Sequence, residues 1–133
     1  FEPLNNFSAH QIKIWGRRFP TAEHAYQWRK YSETRADIAE CILDAGSPEA
    51  AQRIARAHKK RVPKEWHERK VAVMEEILRA KFTQHEDVRE VLKRSGARKI
   101  VESSPVDDFW GAGQKGSGKN MMGELWMKIR DAE

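Results

Sequence analysis

The sequence predicts an α+β domain, mostly helical around a small β-sheet. Three observations carry that expectation. Apolar residues recur at helical spacing through most of the chain after Ala22, whereas period-two alternation is confined to short runs. Gly and Pro punctuate those segments at intervals that suit helices of two to five turns. The chain has 133 residues with no internal repeat, low-complexity tract or interdomain linker, a length that fits one compact domain over residues 1–133.

Ile12, Ile14 and Trp15 surround Lys13 just before Gly16, and Phe19 follows Arg17 and Arg18, so this stretch reads as a short hairpin of half-buried strands. A helix is expected next. Pro20 and Thr21 punctuate its start, Thr21 can cap it, and Glu23 lies in the first turn, where a carboxylate suits the positive helix end. Ala22, Ala25, Tyr26 and Arg29 share one face. Ile38, Ala39, Ile42 and Leu43 form the next helical set and run out at Gly46, with Cys41 expected to pack on the apolar side. Ser47 and Pro48 supply a cap and a first-turn proline for a further helix through Ala51, Ile54 and Ala55, which ends in the basic run 58–61 and Pro63.

The longest periodic segment runs from about Glu65 to Phe82. At about 100° per residue, Trp66, Val71, Val73, Met74, Ile77, Leu78 and Phe82 share one broad arc. Lys70 and Lys81 fall inside it, Lys81 only about 40° from Ile77 on the same wheel. Val88, Val91 and Leu92 make a helix ending near Gly96, and Ile100 and Val101 read as a strand closing with Glu102. A long loop from Ser103 to Asn120 follows, of a length that is usually functional or disordered. Met121, Met122, Leu125, Trp126 and Ile129 form the face of a terminal helix.

Composition excludes several function classes. At 39% hydrophobic and 34% charged, the sequence can build a core but contains no window approaching the ~18 apolar residues of a membrane span. A lone Cys41 cannot form an intramolecular disulfide, and no leader pattern is seen, so a cytoplasmic setting is expected. Twenty-five Lys and Arg against twenty Asp and Glu give +5 and a pI near 9.5, which favours phosphate-bearing or nucleic-acid partners. The histidines at 10, 24, 58, 67 and 85 show no paired ligand spacing, so no metal is expected.

Two phosphate motifs fail on context. Gly111, Gly113 and Gly116 match a dinucleotide fingerprint, but no room remains for the second strand it needs. Gly113 to Lys119 matches a P-loop until Asn120 stands where Ser or Thr would hold Mg²⁺. What survives is a weaker reading, in which flexible amides with Lys115 and Lys119 ahead of a helix cradle a phosphate. Glu23 and His24 beside aromatic residues, Asp107 and Trp110 in the long loop, and Lys81 in its apolar arc each also have plain structural readings: a solvated first turn, an Asx-turn with a pinning Trp, and a snorkelling lysine.

Taken together, these residues resemble the NADAR family, which includes the YbiA-like N-glycosidases. The resemblance runs in order through Asn6-Phe7-Ser8, Phe19 to Gln27 with Lys30, Trp66 and Met74, and Lys81-Phe82. It resumes at Val101-Glu102, Asp107, Trp110-Gly111, and Gly118 to Gly123 with Leu125, Met127, Ile129 and Arg130. Glu65 supplies the acidic residue usual before the tryptophan, whereas Ala55-Arg56 stands where the family often has Gly-Arg, and the family's first strand is expected to lie partly before Phe1.

The resemblance implies hydrolysis of a bond between ribose C1′ and an amino nitrogen, without a cofactor. The associated substrates are ADP-ribosyl-guanine in DNA or RNA, as in an antitoxin-like reversal of ADP-ribosylation, and phosphoribosylamino intermediates of riboflavin synthesis. Such chemistry needs a carboxylate for the oxocarbenium charge, a proton relay and groups for phosphate. By resemblance, Glu23, Asp107 and Lys81 are the catalytic candidates, and Trp66, Trp110, His24, Gln27, Lys30, Gly111, Lys119 and Asn120 the substrate-binding ones. Lys81 has two open roles, a Schiff-base nucleophile or a charged partner of a carboxylate or phosphate. The alternative function is a non-catalytic module that binds ADP-ribose or nucleic acid.

Overall fold

The computed structural model describes residues 2–102, 107, 109–113 and 118–133. Its backbone contacts divide the chain into two compact units, Asn6–Gln84 and the pairing of Phe1–Asn5 with His85–Glu133. Among the described residues there are six α-helices and one two-stranded sheet, the mostly helical α+β architecture expected. No helix among them is long and apolar enough to cross a membrane.

The Asn6–Gln84 unit opens with an antiparallel hairpin, β1 (Ile12–Ile14) and β2 (Arg17–Phe19), in the register Ile12↔Phe19 and Ile14↔Arg17. Its two turn residues, Trp15 and Gly16, both have positive φ, 54° and 73°, as a twist-matched two-residue hairpin turn requires. Glycine takes that conformation readily, but Trp15 is there against preference. Its ring compensates by stacking on Trp28 at 6.0 Å and meeting Phe19 edge-on at 6.3 Å, and Nε1 donates to Glu76 at 3.2 Å. Gln84 closes the outer edge, its side chain accepting from Lys13 N at 2.8 Å and donating to Lys13 O at 2.7 Å.

Helix α1 (Ala22–Tyr31) begins where the sequence places it, with Thr21 Oγ1 accepting from His24 N at 3.2 Å. It is not one-faced. Ala22 to Trp28 are all buried, because α2 (Ala36–Leu43), α3 (Pro48–Ala57) and α4 (Trp66–Gln84) pack around it. Ser47 caps α3 by accepting from Ala50 N at 3.0 Å, with Pro48 in the first turn. The wheel of α4 holds in the interior: Trp66, Val73, Met74, Ile77, Leu78 and Lys81 are buried. One expectation on α2 does not hold. Cys41 is exposed, because at about 100° from the buried Ile42 it turns toward solvent.

In the other unit a 3-10 turn (Glu2–Leu4) packs on α5 (Glu86–Ser95), and Trp126 of α6 (Met121–Asp131) donates from Nε1 to Leu4 O at 3.0 Å. Gly96 ends α5 with a positive φ of 57°. The expected strand at Ile100 to Glu102 is not formed. The Asn120 carboxamide takes its backbone groups instead, Oδ1 accepting from Glu102 N at 2.8 Å and Nδ2 donating to Ile100 O at 2.9 Å. A side chain thus stands where a partner strand would be, and these residues join no sheet.

Candidate active site

The buried polar residues of α1 mark the site. Placing Glu23, His24 and Gln27 in a protein interior is costly unless each is partnered, and their partners differ in kind. His24 is spent on structure. One ring nitrogen pairs with Thr21 Oγ1 at 2.8 Å and the other with Ala45 O at 3.0 Å, so the imidazole fastens α1 to the end of α2. Both ring nitrogens of His24 are thus occupied by protein partners.

Glu23 is 6% exposed, and Gln27, one turn on, donates to its Oε2 from Nε2 at 2.7 Å. The opposite end of the same carboxamide, Gln27 Oε1, is buried with no protein partner. Such an orphaned acceptor suits a ligand N–H or O–H. Asn6 repeats the arrangement: its carbonyl accepts from Glu23 N at 3.1 Å, its Nδ2 makes only a weak 3.4 Å contact to Met74 Sδ, and its Oδ1 is buried and unpartnered.

Two residues later, Ser8 Oγ accepts from Lys81 Nζ at 2.8 Å and pairs with His10 Nδ1 at 2.7 Å. Lys81 is completely buried, so the wheel placed it correctly and it does not snorkel. Asn6 and Ser8 span at most about 7 Å of backbone, which draws Glu23 and the Lys81 ammonium to the same short segment.

Further along the Glu23 face of α1, at i+7, stands Lys30, with Nζ 5.3 Å from the Tyr26 ring centre. Trp66 packs on the other side, its ring 5.4 Å from Tyr26, and is 4% exposed. Burial pushes the Lys30 ammonium below the ordinary lysine value; the Glu23 charge opposes that shift and Lys70 adds to it. Glu23, Gln27 and Lys30 are therefore electrostatically linked along α1, and Lys30 and Trp66 both approach the Tyr26 ring. Asn6, Ser8, His10 and Tyr26 were not singled out as site residues in the sequence, although Asn6-Phe7-Ser8 is one of its family-like blocks.

The remaining candidates belong to the other unit. Asp107 Oδ1 accepts from both Phe109 N, 3.0 Å, and Trp110 N, 2.8 Å, so the Asx-turn exists. Trp110 meets Phe109 edge-on at 4.9 Å, and Lys119 Nζ lies 5.7 Å from the Phe109 ring centre. Asn120, in a left-handed conformation with φ 50°, is buried and uses its carboxamide to hold the 100–102 segment. Gly111 contributes a carbonyl that accepts from Asn120 N at 3.0 Å.

The amides opening α6 are occupied as well. Met121 N donates to Phe109 O at 2.9 Å and Met122 N to Trp110 O at 3.0 Å, so these two amides are not open to a phosphate. Lys115, also named in that expectation, lies outside the described residues. Gly118 is needed here for closeness: a Cβ would approach Ala112 and Gly111 backbone atoms to 2.7 Å.

The chain matches the NADAR domain model over residues 2–132. It is 39% identical over 128 residues to the N-glycosidase YbiA of Escherichia coli K12, covering 96% of this chain and 79% of that protein. It is 34% identical to a chloroplastic riboflavin biosynthesis protein of Zea mays, covering 98% of this chain but only 23% of the plant protein. The NMR structure of E. coli YbiA superposes with a TM-score of 0.84 at 37% identity, over 98% of this chain and 76% of the other. On sequence and fold alike, the chain belongs to the NADAR domain family.

Proposed function

We propose that this N-glycosyl hydrolase cleaves the bond between ribose C1′ and the amino nitrogen of guanine in ADP-ribosylated nucleic acid. The observation that carries the reading is the buried Glu23, held by Gln27 on a helix face that continues to Lys30 and is walled by Trp66. In the reaction, water oxygen adds to C1′, the C1′–N pair leaves on nitrogen, and nitrogen gains a proton. Glu23 faces the positive charge that develops at C1′ and accepts the water proton. The family resemblance alone offers Asp107 as the group that would protonate the departing nitrogen. Lys81 serves at C1′ or beside it, with Ser8 and His10 as its polar support.

The net charge of +5 supports a nucleic-acid strand over a small metabolite, since a strand presents many phosphates to a basic surface. The second reading, a phosphoribosylamino intermediate of riboflavin synthesis, is favoured by the name of the Zea mays relative. Both substrates tested side by side decide the matter. Release of ADP-ribose from an ADP-ribosylated guanine oligonucleotide, at a higher kcat/KM than cleavage of the phosphoribosylamino compound, is the expected result. The reverse order would transfer the assignment to the metabolite, and binding of ADP-ribose without turnover of either would leave a non-catalytic module.

A further inference from the structure

We propose that a cleft between the end of α1 and the start of α4 is a phosphate-binding site built by Arg29, Lys30 and Arg69. This deepens the preceding section, resting on its reading that the substrate is a phosphorylated riboside. The cleft has a volume of about 290 Å³ and is lined by the cations Arg29, Lys30 and Arg69, the carboxylates Glu33 and Glu65, and Trp66 among others.

The cations already share an anionic oxygen. Glu33 Oε1 lies 2.7 Å from Arg69 Nη2 and 3.5 Å from Arg29 Nη2, so guanidinium groups from two helices converge on one point. Glu33 follows the last residue of α1 by two positions, and its side chain is half exposed, so it can rotate into water when another anion arrives. A phosphate oxygen fits the same fork geometry with more charge.

Arg29 is pre-organised for that exchange. Its Cζ sits 5.0 Å from the Trp15 ring centre, and its Nε is buried with no protein acceptor. A donor so placed is costly until an acceptor reaches it. Lys30 adds a cation whose pKa is lowered by burial and by Lys70, the condition that an incoming anion relieves.

Position along α1 agrees. Glu23 and Lys30 are seven residues apart on one face, about 10 Å of helix, so a carboxylate serving an anomeric carbon and cations serving the phosphate end of the same sugar lie in line. The competing cleft, in the other unit, is lined by Leu4, Ile100 and Trp126 with the carboxylates Glu2 and Glu102 and has no lysine or arginine in its lining to offset them. The amides of Asn120, Met121 and Met122 at the start of α6 are already taken.

Glu33 provides a test that a purely structural role does not share. Inorganic pyrophosphate is titrated calorimetrically into the full chain, Glu33→Ala and Arg69→Gln at low salt, with melting curves to confirm folding. Glu33→Ala should bind pyrophosphate about threefold more tightly, because an internal competitor has gone. Arg69→Gln should bind about tenfold more weakly, the scale of a lost charge-assisted hydrogen bond. Unchanged or weaker binding in Glu33→Ala, or unchanged binding in Arg69→Gln, overturns the proposal.

A folded wild-type chain that shows no pyrophosphate binding overturns it too. Competition assigns the source of the phosphate: displacement of pyrophosphate by ADP supports a nucleotide diphosphate, and displacement by an unmodified single-stranded oligonucleotide with the same Arg69 dependence supports a strand phosphate. Pyrophosphate binding in a chain that turns over neither riboside would refute the glycosidase reading while leaving this site in place.

Discussion

Glu23→Gln is the most informative single change, because the structure separates its effect on chemistry from its effect on folding. The substitution keeps the shape and an oxygen that can accept from Gln27 Nε2, now 2.7 Å from the carboxylate. What is lost is the charged character of that bond, about 1 kcal/mol between a charged and a neutral acceptor. Removing a buried charge offsets part of the loss. The fold should therefore stay within about 1 kcal/mol of wild type while kcat falls at least ~10²-fold, which is about 2.7 kcal/mol of transition-state stabilisation.

Lys30 supplies an independent check of the same change. Its folded pKa is lowered from the ordinary 10.5, so between that lowered value and 10.5 the unfolded chain binds more proton and stability rises with pH. Glu23 is the contribution that raises the Lys30 pKa, so Glu23→Gln drops it further and enlarges the cost of a charged Lys30 at neutral pH. The stability deficit of the variant should consequently shrink as pH climbs toward 10.5. Urea unfolding across that range, an NMR titration of the Lys30 side chain and single-turnover release of ADP-ribose measure the three quantities. Near wild-type turnover in a folded Glu23→Gln protein would refute the catalytic assignment, and an unmoved Lys30 pKa would refute the electrostatic link.

Trp66→Ala should cost about 3 to 5 kcal/mol, as buried aromatic truncations do, whereas Trp66→Phe should stay folded and raise KM; a fully active Phe variant in melting and kinetic assays would reduce Trp66 to packing against Tyr26. If Lys81 forms a Schiff base, borohydride added during turnover traps an adduct on its peptide in mass spectrometry and Lys81→Arg is inactive; an active Arg variant with no adduct in the wild type leaves Lys81 electrostatic. Asn120→Ala should destabilise by about 3 kcal/mol in denaturant unfolding, from one buried and one half-buried backbone group left unpaired and the left-handed conformation together, and a loss below about 1 kcal/mol would contradict that structural role. Turnover should survive prolonged EDTA treatment and gain nothing from Mg²⁺ or Zn²⁺; activity abolished by chelation and restored by one metal would sink the carboxylate mechanism.

Local rules made much of the helical frame legible in advance. Thr21 and Ser47 cap the helices that their positions forecast, and the period of α4 predicted the interior face that includes Lys81. The misreadings have one physical origin, competition from groups distant in sequence. Ile100 and Val101 carry genuine strand preference, but the carboxamide of Asn120, twenty residues after Ile100, supplies the hydrogen bonds first. The apolar neighbours of Cys41 point to the core, and a single helical position is enough to expose it.

The site divides along the same line. Glu23, Gln27 and Lys30 can be seen in sequence as one helix face, yet nothing in the sequence distinguishes them from His24 beside them. Only the partners do so. His24 has both ring nitrogens satisfied by Thr21 and Ala45, whereas Gln27 Oε1 and Asn6 Oδ1 are buried with none. A fold that leaves two carboxamide oxygens unpaired beside a buried carboxylate gives up stability there, because each such oxygen forfeits its water without gaining a protein donor. A bound ligand that donates to them recovers that loss. Asn6 and Gln27 thus differ from His24 in keeping a buried polar atom without a protein partner, a difference that the family-like block containing His24 does not reveal.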